Sequence, residues 1–169
     1  FGGSEAALAI SDVLFGDVNP SGKLTMTFPK TVGQLPVHYA HKNTGRALPD
    51  QNNWFEKFKV NYLDVDNIPV YPFGYGLSYT EFSYSDVTLS SDTMNEDGQI
   101  TAQVTVTNTG DRDGKEVVQM YIRDVVGSVT RPVRELKGFE KIYLKAGESK
   151  TVTFTIGKEL LEFYNYDLE

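Results

Sequence analysis

The sequence has 169 residues, 40% of them hydrophobic and 23% charged, a balance ordinary for a globular protein and enough for one domain or a small domain with an attached fragment. Asp and Glu number 23 against 16 Lys and Arg, a formal net charge of -7 with no basic stripe, which excludes nucleic acid and anionic membrane surfaces as partners. There is no cysteine, so disulfide frameworks and thiolate metal sites are excluded, and no apolar run approaches the roughly 20 residues needed to span a bilayer.

No signal-peptide pattern is visible at Phe1, and the chain reads as beginning inside a structural element. Ser4 is an N-cap candidate, with Glu5 in the first turn, where a carboxylate suits the helix dipole. Ala7, Leu8, Ile10 and Leu14 fall at helical spacing, and Gly16 suits a C-terminal cap. Asn19-Pro20-Ser21-Gly22 is a turn, and its proline rules out the only candidate N-glycosylation acceptor. Leu24, Met26 and Phe28 then alternate with Thr25 and Thr27, which predicts a short half-buried strand. A lone helix and strand cannot bury their own apolar faces, so residues 1–30 read as a remnant of a larger α/β layer.

Residues 31–69 show little periodicity, with Pro36, Pro49 and Pro69 among many Asn and Asp. An irregular stretch this long is uncommon unless it is functional or packed on a neighbour. The segment Tyr71-Pro72-Phe73-Gly74-Tyr75-Gly76-Leu77-Ser78-Tyr79-Thr80-Glu81-Phe82 follows. Its glycines permit unusual backbone geometry and its aromatics carry large apolar surfaces with polar edges. It reads either as a buried seam between two structural units or as an aromatic-rich turn between strands.

From Phe82 the pattern is β throughout. Segments near 82–89, 100–107, 116–123, 133–137, 139–145 and 151–156 carry alternating apolar residues, with a weaker one near 161–167. Gly138 reads as a break between two of them. Strands at this spacing with no helical interval predict an antiparallel sandwich, which takes about seven strands. The fold class is therefore mainly β: a fibronectin type III or immunoglobulin-like sandwich, preceded by a short α/β remnant and a long irregular loop. The expected domains are 1–30, the α/β remnant; 31–81, an irregular connecting segment; and 82–169, the sandwich.

The chemistry is sparse. No spacing singles out a pair of carboxylates, and Glu5 and Asp17 read as a helix-terminal charge and a turn acid. His38 and His41 are three apart, but Pro36 argues against a helix that would make this a metal spacing, and no metal or cofactor is expected. Gly74 and Gly76 lack the Lys-Ser/Thr of a phosphate loop and read as packing glycines. The substrate-binding candidates are Tyr39, His41, Asn43, Arg46 and Trp54: aromatic faces stack on sugar C–H surfaces, while amide, imidazole and guanidinium groups bond hydroxyls. The same side chains could instead seal an interface to other domains.

Val70 to Phe82, read as V-Y-P-F-G-Y-G-L-S-Y-T-E-F, resembles the entry to the C-terminal fibronectin type III-like domain of family 3 glycoside hydrolases. Ala6 to Pro29 is similar to the end of the preceding α/β sandwich domain in that family. Gly33-Gln34-Leu35-Pro36 and Asn43-Thr44-Gly45-Arg46 add to the match and point to its periplasmic bacterial β-glucosidase branch. The resemblance implies a longer parent enzyme, periplasmic or extracellular, that hydrolyses β-linked glucosides with retention through a covalent intermediate. It implies that the catalytic carboxylates lie outside this chain, that its partners are the barrel and α/β sandwich domains, and that a last sandwich strand is missing. Such an open sheet edge makes a homodimer possible. Without the resemblance, a free-standing carbohydrate-binding module or an adhesive immunoglobulin-like module fits the same pattern.

Overall fold

The computed structural model describes residues 2–43, 45–46 and 57–168. Helix α1 spans Ala6–Phe15 and is followed by strands β1 (Phe82–Tyr84), β2 (Thr88–Leu89), β3 (Ile100–Asn108), β4 (Gly114–Ile122), β5 (Glu135–Leu144) and β6 (Ser149–Ile156). The fold is mainly β with antiparallel sheets. The chain divides into two compact units: one of residues 1–22, 76–119 and 138–162, the other of residues 23–75, 120–137 and 163–169.

The first unit holds the sandwich core. Along β3, Ala102, Val104 and Val106 face inward while Thr101, Gln103 and Thr105 do not. β3 pairs antiparallel with β6 from Ile100 opposite Ile156 to Thr107 opposite Ser149. β1 and β2 share its other edge, with Phe82 opposite Asn108 and Thr88 opposite Gln103. β4 pairs with β5 in a second sheet. Val104 and Val106 meet Val118, Ile142, Leu144 and Val152 in one cluster, with Phe82 and Phe154 packed against it. Each such side chain contributes on the order of 1.5–3 kcal/mol by leaving water. On the outer face, the Thr105 and Thr151 hydroxyls pair at 3.0 Å and those of Thr107 and Ser149 at 2.7 Å.

Asn108 ends β3 with its side chain fully buried. Its Oδ1 accepts from the Thr80 hydroxyl at 2.7 Å and the Gly110 N–H at 3.2 Å. Its Nδ2 donates to the carbonyls of Arg112 at 2.7 Å and Leu144 at 3.2 Å. One amide thus serves four groups around the β3–β4 turn. A Cβ at Gly114 would lie 2.7 Å from Thr80 and 2.9 Å from the Phe82 ring, which explains glycine there. Close by in sequence, the Tyr84 hydroxyl donates to buried Glu116 at 3.0 Å. Burial first, then the Glu116 carboxylate, raises the Tyr84 pKa.

The second unit is built with less apolar burial. Leu24 and Phe28 run antiparallel to Tyr71–Tyr75: the Leu24 N–H donates to the Tyr75 carbonyl at 2.8 Å, and Phe28 to Tyr71 at 2.8 Å. The Phe28 and Tyr71 rings meet edge to face at 6.4 Å, and Tyr71 stacks on Tyr75 at 5.1 Å. Fully buried Gln34, in a short 3-10 turn at Val32–Gln34, ties this unit together. Its Oε1 accepts from the Lys30 N–H at 2.7 Å, and its Nε2 donates to the carbonyls of Asp66 at 2.8 Å and Ile68 at 3.0 Å.

Lys30 also donates its ammonium to both oxygens of Asp66, at 2.9 and 2.7 Å. That bond, with help from the Ile68 N–H, holds the Asp66 carboxyl below its usual range. A depressed carboxylate pKa contributes stability at every pH above the unfolded value, about 3.9, and loses it as pH falls through the folded value. We expect acid unfolding to be shallower below about pH 4 in Asp66→Asn than in the parent, because the variant has already lost the contribution. Denaturation midpoints at pH 3 and pH 7 check this, and identical pH slopes in the two proteins would refute it.

Several sequence expectations need correction. The helix begins after Glu5, which occupies the N-cap position without a side-chain cap, so Ser4 is not the cap. Gly16 does end it, at φ 85°. Leu24–Phe28 forms main-chain bonds and one isolated bridge with Tyr71–Tyr75, not a continuous ladder, so it is not a full strand. Gly138 does not break a strand: β5 runs unbroken from Glu135 to Leu144, since a glycine in a paired ladder keeps extended geometry. Residues 161–167 are irregular, with turns only at 161 and 166–167, after a 3-10 turn at Lys158–Leu160, and they form no strand. The Tyr71–Phe82 aromatics are only partly buried: Tyr71, Tyr75 and Tyr79 are more than a third exposed while Phe82 packs against the core, and the segment divides between the units after Tyr75.

Candidate functional site

The candidate loop, residues 37–46, lies in the second unit with residues 120–137. Two main-chain links hold it there. The Val133 N–H donates to the His41 carbonyl at 2.9 Å, and Lys42 bridges to Pro132. The Tyr39 ring stacks on Phe73 at 4.1 Å and 14°, and meets the Tyr121 edge at 6.1 Å. Its hydroxyl accepts from the Leu136 N–H at 3.3 Å. The Arg134 guanidinium lies 5.7 Å from the Tyr121 ring centre. Burial pushes the Tyr121 hydroxyl pKa up, against the pull of Arg134. One face of the Tyr39 ring is thus engaged by Phe73 within the protein.

The other candidates separate. His41 acts through its carbonyl, while its Nδ1 sits 3.3 Å from the Lys42 carbonyl. The Asn43 Oδ1 accepts from the Gly45 N–H at 3.0 Å, a local turn that fixes the amide. The Arg46 carbonyl accepts from Val60 at 2.8 Å, and its side chain is exposed. Trp54 lies outside the described residues. Among the described residues, no group of three or more His, Cys, Asp or Glu side chains could hold a metal ion. No helix among the described residues is long and apolar enough to cross a membrane.

Asn43 borders a concavity of about 600 Å³, together with Arg123, Asp124, Ser128, Thr130 and Tyr166. Arg131 forms part of its wall. Its Nη2 donates to Glu135 at 2.7 Å, its Nε lies 3.7 Å from Asp124, and its guanidinium stacks 4.4 Å from the Phe163 ring centre. The arginine side chain is only 18% exposed. Of the four candidates among the described residues, Tyr39, His41, Asn43 and Arg46, Asn43 alone reaches this concavity. Sequence reasoning missed Arg123 and Arg131, because the stretch between Ile122 and Val133 has no periodicity, and Tyr166, which falls in the weakly patterned segment 161–167. The available signal was charge spacing: Arg131 has acids seven residues before and four after it.

These elements match known proteins. Residues 1–79 fit the profile described as the glycosyl hydrolase family 3 C-terminal domain, and residues 116–169 that of the fibronectin type III-like domain. The chain belongs to glycosyl hydrolase family 3, whose C-terminal and fibronectin type III-like domains it carries. It is 58% identical to the periplasmic beta-glucosidase of Salmonella typhimurium, aligning over all of this chain and 22% of that protein. It is 47% identical to a beta-xylosidase of Formosa agariphila, again over all of this chain and 22% of the relative. The crystal structure of the beta-glucosidase from Listeria innocua in complex with glucose superposes with a TM-score of 0.92 at 48% identity, covering 99% of this chain and 23% of that one. The chain therefore spans about a fifth of the length of the relatives it matches.

Proposed function

We propose that this chain is the C-terminal part of a longer glycoside hydrolase that acts on β-linked glucosides with retention, in the periplasm or outside the cell. Its own contribution is structural, with residues 1–30 completing an α/β layer and the sandwich following. One observation carries this reading. Helix α1 has no buried residue, and Leu8, Ile10, Leu14 and Phe15 are all exposed, Phe15 by 79%. A helix with that much wet apolar surface calls for another surface to cover it. Family membership supplies the rest: the related proteins named as beta-glucosidases are several times longer.

The test compares this chain with the full-length gene product on an aryl β-glucoside. We expect turnover only from the longer protein, and mutation-sensitive hydrolysis by this chain alone overturns the reading.

The loop residues Tyr39, His41, Asn43, Arg46 and Trp54 remain our candidates for the sugar-contacting rim. In the longer enzyme, Arg46→Ala is expected to lower kcat/KM by about tenfold, the loss of one charge-assisted hydrogen bond. It should leave the melting temperature nearly unchanged, because the side chain is exposed. Equal and small effects on both would favour an interface seal. A homodimer would form through the free edge of β6, which pairs only with β3 among the described residues. Sedimentation at rising concentration reads it out.

A further inference from the structure

The concavity beside Asn43 lies in the second unit, and its lining is polar on several sides. Arg123 is exposed there, and among the described residues no ion pair or hydrogen bond engages it. Arg131, by contrast, is held between Asp124 and Glu135 and stacked on Phe163, so it acts as wall. The volume of about 600 Å³ falls within the roughly 300–1,000 Å³ typical of small-ligand sites.

The lining offers donors and acceptors together. Arg123 and the Asn43 amide donate, the Asp124 carboxylate accepts, and Ser128 and Thr130 do both. Tyr166, 86% exposed, presents an aromatic face at the same place. Each sugar hydroxyl is itself donor and acceptor, and a pyranose has an apolar face that stacks on an aromatic ring. A phosphate or sulfate is an anion and would meet the Asp124 carboxylate as a like charge. A hydrophobic ligand would leave these groups unpaired, at a cost for each.

We propose that this concavity is a saccharide-binding site of the chain itself, taking a neutral pyranose unit. Arg123 and Asn43 bond its hydroxyls from one side, Asp124 accepts from them, and Tyr166 stacks on its apolar face. The site needs no catalytic group and works without turnover. The choice of a β-glucosyl probe rests on the function proposed above, whereas the existence of the site does not.

The experiment titrates this chain with laminaribiose, cellobiose, methyl β-glucoside and, separately, inorganic phosphate, by calorimetry and saturation-transfer NMR. Arg123→Ala and Tyr166→Ala are run alongside, with circular dichroism to show that both fold; both side chains are exposed, so folding should survive. The expected result is saturable binding of at least one saccharide, weakened about tenfold or more by each substitution, as losing one charged hydrogen bond or one stacking face implies. No saccharide binding by the parent chain, binding unaltered in both variants, or binding of phosphate alone overturns the proposal. Hydrolysis by the longer enzyme with no sugar bound by this chain sinks the site and spares the proposed function. Binding here with no hydrolysis by the longer protein does the reverse.

Discussion

Asn108→Ala is expected to destabilise the sandwich by about 3–5 kcal/mol, as much as removing a large core side chain. The buried amide satisfies the Thr80 hydroxyl, the Gly110 N–H and the carbonyls of Arg112 and Leu144. Alanine removes all four bonds and supplies nothing in their place. Some of these groups will recover water, which is why the expected cost is below four times the roughly 1–3 kcal/mol for an orphaned buried group. Asn108→Asp should do no better. It keeps the acceptor oxygen but loses both donors, and it brings a charge into a fully buried position. Urea denaturation followed by tryptophan-independent circular dichroism reads the change. A loss of under about 1 kcal/mol for Asn108→Ala would mean that the turn is held by main-chain bonds alone.

Gln34→Ala is the matching experiment in the second unit, with an expected cost of about 2–4 kcal/mol. Three main-chain groups, the Lys30 N–H and the carbonyls of Asp66 and Ile68, lose their partner at once. This unit has little apolar core to compensate, so the damage should be local and should appear first as faster amide exchange at residues 30–35 and 66–71. Exchange within β3 and β6 should hardly change. If Gln34→Ala instead accelerates exchange uniformly through both units, the two fold as one cooperative body and the local reading fails.

Much of the sandwich was legible because its strands obey a period of two. The alternation of Val104 and Val106 with Thr105, and of Val152 with Thr151 and Thr153, reports which side meets the core before any coordinate is known. Where that periodicity is interrupted by a residue tolerated in several conformations, the reading fails. Gly138 looks like punctuation, yet the ladder around it keeps the backbone extended. Leu24, Met26 and Phe28 alternate well, but the alternation says nothing of how many neighbours the segment will pair with. The candidate site was legible only in part. Asn43 reaches the concavity because its turn-forming side chain sits on the loop that sequence reasoning chose. Arg123 and Tyr166 arrive from distant segments, and only tertiary packing sets that proximity. Tyr39 was chosen for its ring, and the fold stacks one face of that ring on Phe73.

The register of β3 has a consequence for how the molecule comes into being. Ile100 faces Ile156, and Thr107 faces Ser149, so the central strand waits for a partner made after the whole of β4 and β5. Closing that gap costs chain entropy before the ladder returns any of it. Proteins dominated by such distant pairings fold in roughly milliseconds to seconds, well behind those built on local contacts. During synthesis, at about 5–20 residues per second, the β6 edge of the Val-rich β3 stands unpaired for some seconds. Val104 and Val106 are then open to any passing strand. The threonines at Thr101, Thr105 and Thr107 leave this segment only half apolar during that interval, which limits misassociation while the ribosome delivers β6.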